Sequence, residues 1–564
     1  MRFRWSAKFV LVLVAVGIYL CCSLVHLELP GLHYDEVLFA NAAMGNVDGS
    51  FVAWEIHIGR SKLPVMLMPY IGALKAYLYA PIFAIFKPGV IAVRLPTVIL
   101  GLLTLILTFV VVKPWLGEKV ALVTLFLLAS DPTFIFTNKL DWGPAALMMV
   151  LRMASLYLLQ RWLVAAKPWL LALAGLLLGL GIYEKVIFIW FVAALLIAFP
   201  ICFWQRVKSP MSLRALSLFL GCFVLGCCPL IAYNLQFHWM TFNNPNKLNL
   251  SPGQESFLRT IILMKTLNGT AINEFTSNEE FQRLPLLLQR EGSAALGRLI
   301  NPWYGQRSQS PSTLTVPALL MAVGLILILW KMGRLQAGAR VHFFLLLCVF
   351  MTAFIYLTPG STGIQHFAML YPFPTTLIGF AACSLGKEGE IRSRKWLASL
   401  GDLAGLAWVG ILLLAQLSVD VDTLKLFVRQ GGVGIWTDAI YKLADYANEH
   451  GESSFTLMDW GFNNQLLVLT QGRIQKEEVF AKVSAAPGDE ERIRAMHAYL
   501  TRPKSLLVFH APGYEVVPML QFFERALQRY NLEARKVATF HQRDGQPVYL
   551  LYEVLRSRFQ DSSC

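Results

Sequence analysis

Residues 9–27 read FVLVLVAVGIYLCCSLVHL, and the segment His33-Tyr34-Asp35-Glu36 follows this apolar run a few residues later. A helix that crosses a bilayer needs about 20 apolar residues, so the run predicts a first membrane span. The basic residues before it are also typical of a signal peptide, but no small-residue cleavage site follows, which favours an uncleaved helix. The sequence therefore predicts a pair of carboxylates, Asp35 and Glu36, just beyond the end of the first span.

The pattern of apolar runs continues through the first three-quarters of the chain. Further runs of span length lie at 91–112, 120–137, 144–163, 168–182, 186–204, 215–232, 313–330, 341–357, 367–385 and 397–418. Of the 564 residues, 56% are hydrophobic and 15% are charged, and the mean hydropathy is +0.53, whereas soluble domains carry about 25% charged residues. The composition excludes a soluble protein and predicts a polytopic α-helical membrane protein with about eleven transmembrane helices.

The apolar stretch 65–86 differs from the other runs because it contains two prolines, a lysine and three tyrosines. Tyrosine favours the headgroup region and a lysine is costly inside an isolated span, so we predict an interfacial helix over 65–86. Basic residues of the short loops then fall almost entirely on one side of the membrane. The positive-inside rule places that side, with the N-terminus, in the cytoplasm. The net charge of +14 is therefore explained by loops beside a membrane, and no nucleic-acid partner is expected.

Two domains are predicted from these patterns. Residues 1–420 form the membrane domain, with long outer loops at 28–90 and 233–312. Residues 430–564 form a soluble extracytoplasmic α/β domain, because strand-like and helical periodicities alternate there. The predicted strands are 455–458, 505–510, 534–540 and 548–554, and the predicted helices are 438–450, 490–500 and 515–530.

Ionisable residues near the outer boundary of the membrane indicate where chemistry takes place, because charges there are costly unless they are used. The residues that the topology places on this side include Asp35, Glu36, Arg60, Lys62, Asp141, Lys185, His366 and Tyr371. Acidic and basic groups at one mouth of a helix bundle suit two tasks. One is a general base combined with metal ligation, and the other is binding of an anionic phosphate.

Several of these residues also have a plainer interpretation. An acidic pair in a loop is usually solvated surface, and Asp141 is well placed to cap the helix that follows it. Lys185 is compatible with snorkelling to the interface, and His366 with a hydrogen-bonded boundary histidine. Arg152 lies in the middle of a span, where we expect it to pair with a buried acid or a carbonyl.

Other catalytic motifs are weak or absent in the sequence. Asp420-Val421-Asp422 matches the DxD of soluble glycosyltransferases, but it lies outside the membrane, where nucleotide sugars are scarce, so chance is the better explanation. There is no P-loop, no GxGxxG after a strand, no HExxH and no GxSxG. Eight of the nine cysteines fall in apolar runs, so neither a disulfide framework nor a cysteine metal site is predicted.

An ordered set of motifs over residues 10–380 resembles the GT-C glycosyltransferases, particularly glycosyltransferase family 39. That family includes the protein O-mannosyltransferases and the lipid A aminoarabinose transferases. The motifs are Asp35-Glu36, Ser61-Lys62-Leu63-Pro64, Arg94-Leu95-Pro96, the segment from Asp131-Pro132 to Asp141-Trp142-Gly143-Pro144, Gly181-Ile182-Tyr183-Glu184-Lys185, and His366 with Tyr371-Pro372. Two features depart from the family: Leu63 replaces a proline, and the C-terminal region does not match the trefoil-type domain of the eukaryotic mannosyltransferases.

The resemblance implies an inverting glycosyltransferase that moves a hexose or pentose from a polyprenyl-phosphate donor to an acceptor hydroxyl at the outer face. It implies that Asp35 is the general base; a nucleophilic Asp35, with retention of configuration, is the alternative. Glu36 and Asp141 would hold the acceptor or a divalent cation, Mg²⁺ or Mn²⁺, with Asp35 and Asp141 as its ligands. No other cofactor is expected.

The resemblance also implies the groups that bind the donor. The residues expected to hold its phosphate or offset its charge are Arg60, Lys62, Arg94, Lys185, His366 and Tyr371. Spans near 65–112 and 186–204 would form a lipid groove, and the α/β domain would cover the site or recruit the acceptor. The expected partners are the lipid-linked sugar, membrane lipid and a protein, lipid or glycan acceptor, in a bacterial inner (cell) membrane.

Two other functions are compatible with a polytopic chain. A transporter or flippase of a lipid-linked or anionic substrate would place ionisable groups near the midplane, often in repeated halves. Here most polar groups cluster at the outer boundary and no repeat is visible, so Arg152 alone favours transport. A non-catalytic scaffold that presents the C-terminal domain would leave the outer charged cluster without a task.

Overall fold

The computed structural model of the protein describes residues 7–45, 52–59, 61–243, 252–278, 282, 324, 338–360, 363–385 and 395–555. They form a helical membrane domain followed by a C-terminal domain built on a five-stranded sheet. The described helices of the membrane domain are α1 (Ala7–Leu24), α2 (Leu38–Ala43), α3 (Leu74–Ile85), α4 (Val90–Leu116), α5 (Glu118–Ala129), α6 (Pro132–Leu140), α7 (Ala145–Ala165), α8 (Pro168–Glu184), α9 (Ile189–Val207), α10 (Leu213–Gln236), α11 (Pro252–Leu267), α12 (Ala271–Ser277), α13 (Ala339–Leu357), α14 (Ile364–Ala368), α15 (Phe373–Ser384) and α16 (Lys395–Gln430).

Within the described ranges, 7 helices are long and apolar enough to cross a membrane, or up to 8 if the bent pair α5–α6 is one span. Two further predicted spans coincide with the shorter apolar helices α8 and α15. The predicted span 313–330 lies outside the described residues except for Gly324. The predicted fold class, a polytopic helical membrane protein with a C-terminal α/β domain, is confirmed.

The bend of 58° between α5 and α6 lies at Asp131-Pro132. Proline has no backbone N–H and fixes its own φ, so Pro132 suits the first position of a new helix. The Asp131 side chain caps this helix by accepting a hydrogen bond of 3.0 Å from the Phe134 backbone N–H. The bend brings the end of α6, and with it Asp141, to the mouth of the bundle.

The segment predicted as one interfacial helix over 65–86 is divided, and its first part is a strand. A three-stranded antiparallel sheet in the order β1-β2-β3 precedes the helix; the strands are β1 (Trp54–Ile58), β2 (Ser61–Met68) and β3 (Ile71–Gly72). Pro69 disfavours a helical conformation for the residue before it, so the chain turns there and α3 begins only at Leu74. Ile71 forms a β-bridge with Lys185, which joins the segment before α3 to the turn after α8.

The C-terminal domain is a mixed sheet with helices on both faces. Strand order is β5-β4-β6-β8-β7, with β4 parallel to β5 and β6, and β8 antiparallel to β6 and β7. The elements are α17 (Ala439–Glu449), β4 (Ser454–Leu457), α18 (Asn463–Leu469), β5 (Gln475–Glu478), α19 (Phe480–Ser484), α20 (Asp489–Leu500), β6 (Ser505–His510), α21 (Met519–Tyr530), β7 (Glu533–His541) and β8 (Pro547–Leu555). All predicted strands are present, whereas β5 was missed because its polar sequence carries no apolar alternation.

The C-terminal domain packs on the loop that follows α1 in the membrane domain. The Gly31 backbone N–H donates to the Gly431 carbonyl at 3.1 Å, directly after the end of α16. The Tyr441 hydroxyl donates to the Glu28 carbonyl at 2.6 Å. These contacts place the start of the soluble domain over the loop that contains Asp35.

Candidate active site

Asp35 joins the two acidic loops, the one after α1 and the turn between α6 and α7. Its backbone N–H donates to His33 Nδ1 at 3.1 Å, and its Oδ2 accepts a hydrogen bond of 2.8 Å from the indole Nε1 of Trp142. Trp142 directly follows Asp141 in the turn between α6 and α7, so the two loops meet as the sequence predicts. Asp35 is half-buried, and no described residue hydrogen-bonds to its Oδ1. One carboxylate oxygen is thus held while the other is left to accept a proton.

Glu36 is fully buried and makes a two-point ion pair with Arg94. Arg94 Nε and Nη2 each donate to one carboxylate oxygen at 2.8 Å, and both side chains are 0% exposed. Arg94 Nη1 also donates to the carbonyls of Leu27 and Pro30 at 2.9 and 3.0 Å. The catalytic role expected for Glu36 and the phosphate-binding role expected for Arg94 find no support here. The pair instead fixes the loop onto α4.

Asp141 and Lys75 form a second buried pair, which the sequence did not predict. Asp141 Oδ1 accepts from the Ala146 backbone N–H at 2.9 Å, so Asp141 caps α7, and its Oδ2 contacts Lys75 Nζ. Lys75 Nζ also donates to the Gly143 carbonyl at 3.1 Å. The Lys75 side chain is 1% exposed and the Asp141 side chain is 2% exposed. A lysine inside the apolar stretch 65–86 was the available signal, because such a charge is costly unless it is paired.

Lys185 is a buried cation that faces these carboxylates without pairing to them. Among the described residues its ammonium makes no hydrogen bond or ion pair, and only 7% of the residue is exposed. A Cβ built on Gly143, whose φ is +81°, would lie 3.3 Å from Lys185 Nζ, so glycine leaves room for this side chain. Burial lowers the pKa of Lys185, while Asp35, Asp141 and Glu184 raise it in part. An anion bound at this position would stabilise the buried ammonium of Lys185.

The other predicted substrate-binding residues make different contacts. Lys62 is on β2, with its ammonium 3.8 Å from the Glu55 carboxylate and its side chain 46% exposed. His366 Nδ1 accepts from the Gly363 backbone N–H at 3.1 Å, and the Tyr371 hydroxyl donates to the Thr266 carbonyl at 3.2 Å. Arg60 lies outside the described residues. The structure therefore brings together Asp35, Asp141 and Lys185 and places Lys62, His366 and Tyr371 in other surroundings.

The expected divalent cation does not fit the donor set at Asp35 and Asp141. A divalent cation needs several oxygen ligands, but Asp141 already binds Lys75 and the Ala146 N–H, and the Lys185 ammonium faces both carboxylates. In the described part of the chain, no group of three or more His, Cys, Asp or Glu side chains could hold a metal ion. We therefore derive no step through a metal.

An apolar groove runs along α3 and α4 and has Lys75 at one end. Its volume is about 790 Å³. Its lining side chains are those of Lys75, Leu78, Tyr79, Ile82, Ile85, Phe86, Lys87, Ile91, Ala92, Leu95, Pro96, Thr97, Ile99 and Leu100. Several of them are exposed, for example Ile85 at 77% and Ile91 at 64%. The groove lies within the segment 65–112 in which we expected it, whereas residues 186–204 do not line it.

Two backbone carbonyls within the bundle bind the guanidinium of Arg152, the residue that favoured transport. Its Nη1 and Nη2 donate to the carbonyls of Met369 and Tyr371, where the chain breaks between α14 and α15. The guanidinium also lies 5.7 Å from the ring centre of Phe191 and 5.3 Å from that of Phe373. These contacts match the carbonyl pairing expected from the sequence and account for the charge without a transported substrate.

The comparison with known proteins agrees with this architecture. Residues 72–227 match the family model described as dolichyl-phosphate-mannose-protein mannosyltransferase. No curated protein matches the chain significantly in sequence. The structure is similar to that of ArnT from Cupriavidus metallidurans bound to undecaprenyl phosphate, with 12% identity, a TM-score of 0.57 and coverage of 97% of this chain and 98% of that chain.

Two archaeal structures are similar as well. The Archaeoglobus fulgidus oligosaccharyltransferase in the apo form has 12% identity and a TM-score of 0.51, over 95% of this chain and 70% of that chain. AglB of the same organism, in complex with an inhibitory peptide and a dolichol-phosphate, has 12% identity and a TM-score of 0.51, over 90% and 70%. The chain thus has the fold of the GT-C glycosyltransferases. The match of residues 72–227 to the mannosyltransferase family model agrees with the resemblance seen in the motifs of that segment.

Proposed function

We propose that this protein is an inverting glycosyltransferase that moves a sugar from a polyprenyl-phosphate donor to an acceptor hydroxyl at the outer face of the membrane. The observation that carries the proposal is the apolar groove that ends at Lys75, beside Lys185 and Asp35. The three parts of a lipid-linked sugar phosphate match these features in turn: the apolar chain suits the groove, the anionic phosphate suits Lys185, and the reacting carbon suits Asp35. The complexes of ArnT with undecaprenyl phosphate and of AglB with a dolichol-phosphate support this class of donor.

In the proposed reaction Asp35 Oδ1 takes the proton of the acceptor hydroxyl while the hydroxyl oxygen attacks the anomeric carbon. The bond between that carbon and the phosphate oxygen breaks, and its electron pair goes to the phosphate. The Lys185 ammonium offsets the charge that develops on the leaving phosphate. Attack from the side opposite the phosphate inverts the configuration. The products are a glycosidic bond, polyprenyl phosphate and a proton on Asp35, which passes to water.

The proposal includes a location. We place the protein in a bacterial inner membrane, and the charge pattern of the loops favours a cytoplasmic N-terminus and an extracytoplasmic site. Transport or flipping of a lipid-linked or anionic substrate is the alternative function, and the same groove is compatible with it.

One experiment separates these functions. Purified protein in lipid nanodiscs is given undecaprenyl- and dolichyl-phosphate sugars with protein, lipid and glycan acceptors, and the products are identified by mass spectrometry. We expect one donor to yield both a glycosylated acceptor and free polyprenyl phosphate, and the anomeric configuration of the product, read by NMR, to be inverted. Movement of intact donor across proteoliposomes without release of polyprenyl phosphate would instead support the flippase.

A further inference from the structure

Three aromatic rings from separate parts of the chain pack against one another, and two of them hydrogen-bond to Asp35. His33 belongs to the same loop, Trp142 to the turn between α6 and α7, and Trp436 to a 3₁₀ turn, Gly434–Trp436, at the start of the C-terminal domain. The His33 ring stacks on Trp436 with centroids 4.2 Å apart and planes inclined by 17°. Trp142 meets both edge-on, at 5.6 Å from His33 and 5.8 Å from Trp436. We name His33, Trp142 and Trp436 the aromatic clamp.

The clamp holds Asp35 at two points. His33 Nδ1 accepts a hydrogen bond from the Asp35 backbone N–H, and Trp142 Nε1 donates one to the Asp35 carboxylate. Burial lowers the pKa of His33 to about 4, so at neutral pH the ring is uncharged and Nδ1 remains an acceptor. Trp436 acts on Asp35 through the other two rings, because it packs against both.

Trp436 is fixed by a segment anchored to both domains. The Val433 backbone N–H donates to the Thr276 carbonyl at 3.0 Å, and the Gly434 N–H donates to Gln542 Oε1 at 2.7 Å. A Cβ on Gly432, whose φ is +85°, would clash with the Trp436 carbonyl and with Pro30, so this close approach requires glycine. Only 1% of Trp436 is exposed.

We infer that Trp436 is a positioning residue for Asp35 and that the C-terminal domain thereby completes the catalytic site of the membrane domain. This inference rests on the proposed function, in which Asp35 is the general base. A base misplaced by about 1 Å can lose about 10²-fold in rate. Removal of the Trp436 ring takes away a packing contact from both His33 and Trp142. Both residues that hydrogen-bond to Asp35 then become less firmly positioned.

The test compares W436A and W436F with D35N and with the control F523L. Phe523 is buried in the core of the C-terminal domain, against Phe509 and Tyr552, and belongs to no part of the clamp. The readouts are kcat, the KM for the lipid donor and the thermal unfolding temperature in nanodiscs. We expect W436A to lower kcat about 10²-fold with an unchanged donor KM, W436F to restore most of kcat, and F523L to lower the unfolding temperature but not kcat.

A second variant, W142F, keeps a ring and removes only the Nε1 donor; we expect it to lower kcat at an unchanged unfolding temperature. Wild-type kcat in W436A and W142F, with D35N inactive, would overturn the inference and leave the proposed function standing. An equal loss of kcat in F523L would show that domain stability alone is responsible and would also overturn the inference. Normal turnover in D35N would instead reject the proposed function itself.

Discussion

Arg94 holds both carboxylate oxygens of Glu36 at 2.8 Å. Glu36 directly follows Asp35, the carboxylate that we assign as the general base. The two neighbouring acids therefore have different tasks. Glu36 is fully buried and shapes the loop, whereas Asp35 is half-buried and keeps one oxygen unoccupied by the described residues. At adjacent positions, Glu36 therefore stabilises the loop and Asp35 is available for the reaction.

Matched isosteric variants measure that difference. E36Q leaves the Arg94 charge buried without a counter-ion, so we expect a loss of about 3–5 kcal/mol in the free energy of unfolding. D35N keeps an oxygen that accepts from Trp142, and we expect a change below about 1 kcal/mol. Chemical unfolding of both variants in the same detergent gives the comparison. Equal stability of the two would contradict the structural role of Glu36.

Lys185 predicts a dependence of donor binding on pH. Burial lowers its pKa below the ordinary lysine value, so the ammonium loses its proton as pH rises through that lowered pKa, and affinity for an anionic phosphate falls with it. K185R keeps its charge to higher pH because a guanidinium does not deprotonate in this range. We expect the donor KM to rise at alkaline pH in the wild type and to rise less in K185R.

The control for Lys185 is K425A, which removes an exposed lysine of α16 whose side chain is 73% exposed. We expect K185A to raise the donor KM at every pH and K425A to leave the KM unchanged. An unaltered KM in K185A would remove Lys185 from the phosphate site.

The groove predicts a second effect on the donor. Ile99 lines the groove and Ile106 lies two turns further along α4, outside it; both are lipid-exposed, at 49% and 42%. We expect I99W to raise the KM of a full-length polyprenyl donor because the indole fills the groove, and I106W to leave it unchanged. A donor with a two-isoprene chain should be less affected by I99W. The same KM for both variants with the long donor would argue against the groove.

Chelation tests the absence of a metal step. Because the Lys75 and Lys185 ammonium groups lie beside the carboxylates, we expect the transfer rate to stay the same after dialysis against EDTA and after addition of Mg²⁺ or Mn²⁺. Loss of activity on chelation, recovered by one of these ions, would contradict this account of the site.

Membrane spans and strands of the C-terminal domain were predictable because each depends on local properties of the sequence. A run of apolar residues or a strict alternation is complete within about 20 residues. The strand over the first part of 65–86 was not predicted, because pairing with Trp54–Ile58 decides it. A one-dimensional pattern does not contain that pairing.

The candidate site could be predicted only in part, because its residues follow local patterns but their partners come from distant positions in the chain. Asp35, Asp141 and Lys185 were predicted to meet because charges at a membrane boundary are costly and each lies just after a span; the structure brings the three together, and their roles stay predictions. The partners of those charges come from distant positions: Lys75 binds Asp141, and Trp436 reaches the first loop from the other domain. Glu36 was expected to hold the acceptor or a cation, and the sequence alone does not reveal that its carboxylate pairs with Arg94.

The most direct test of the central claim is the rate of sugar transfer by D35N, measured with the donor that the wild type uses and normalised to correctly folded protein. Loss of a general base lowers a rate by about 10²–10⁴-fold, and we predict a loss of this size with an unchanged donor KM and unfolding temperature. Release of polyprenyl phosphate at the wild-type rate by folded D35N would contradict the assignment of Asp35 and the mechanism built on it.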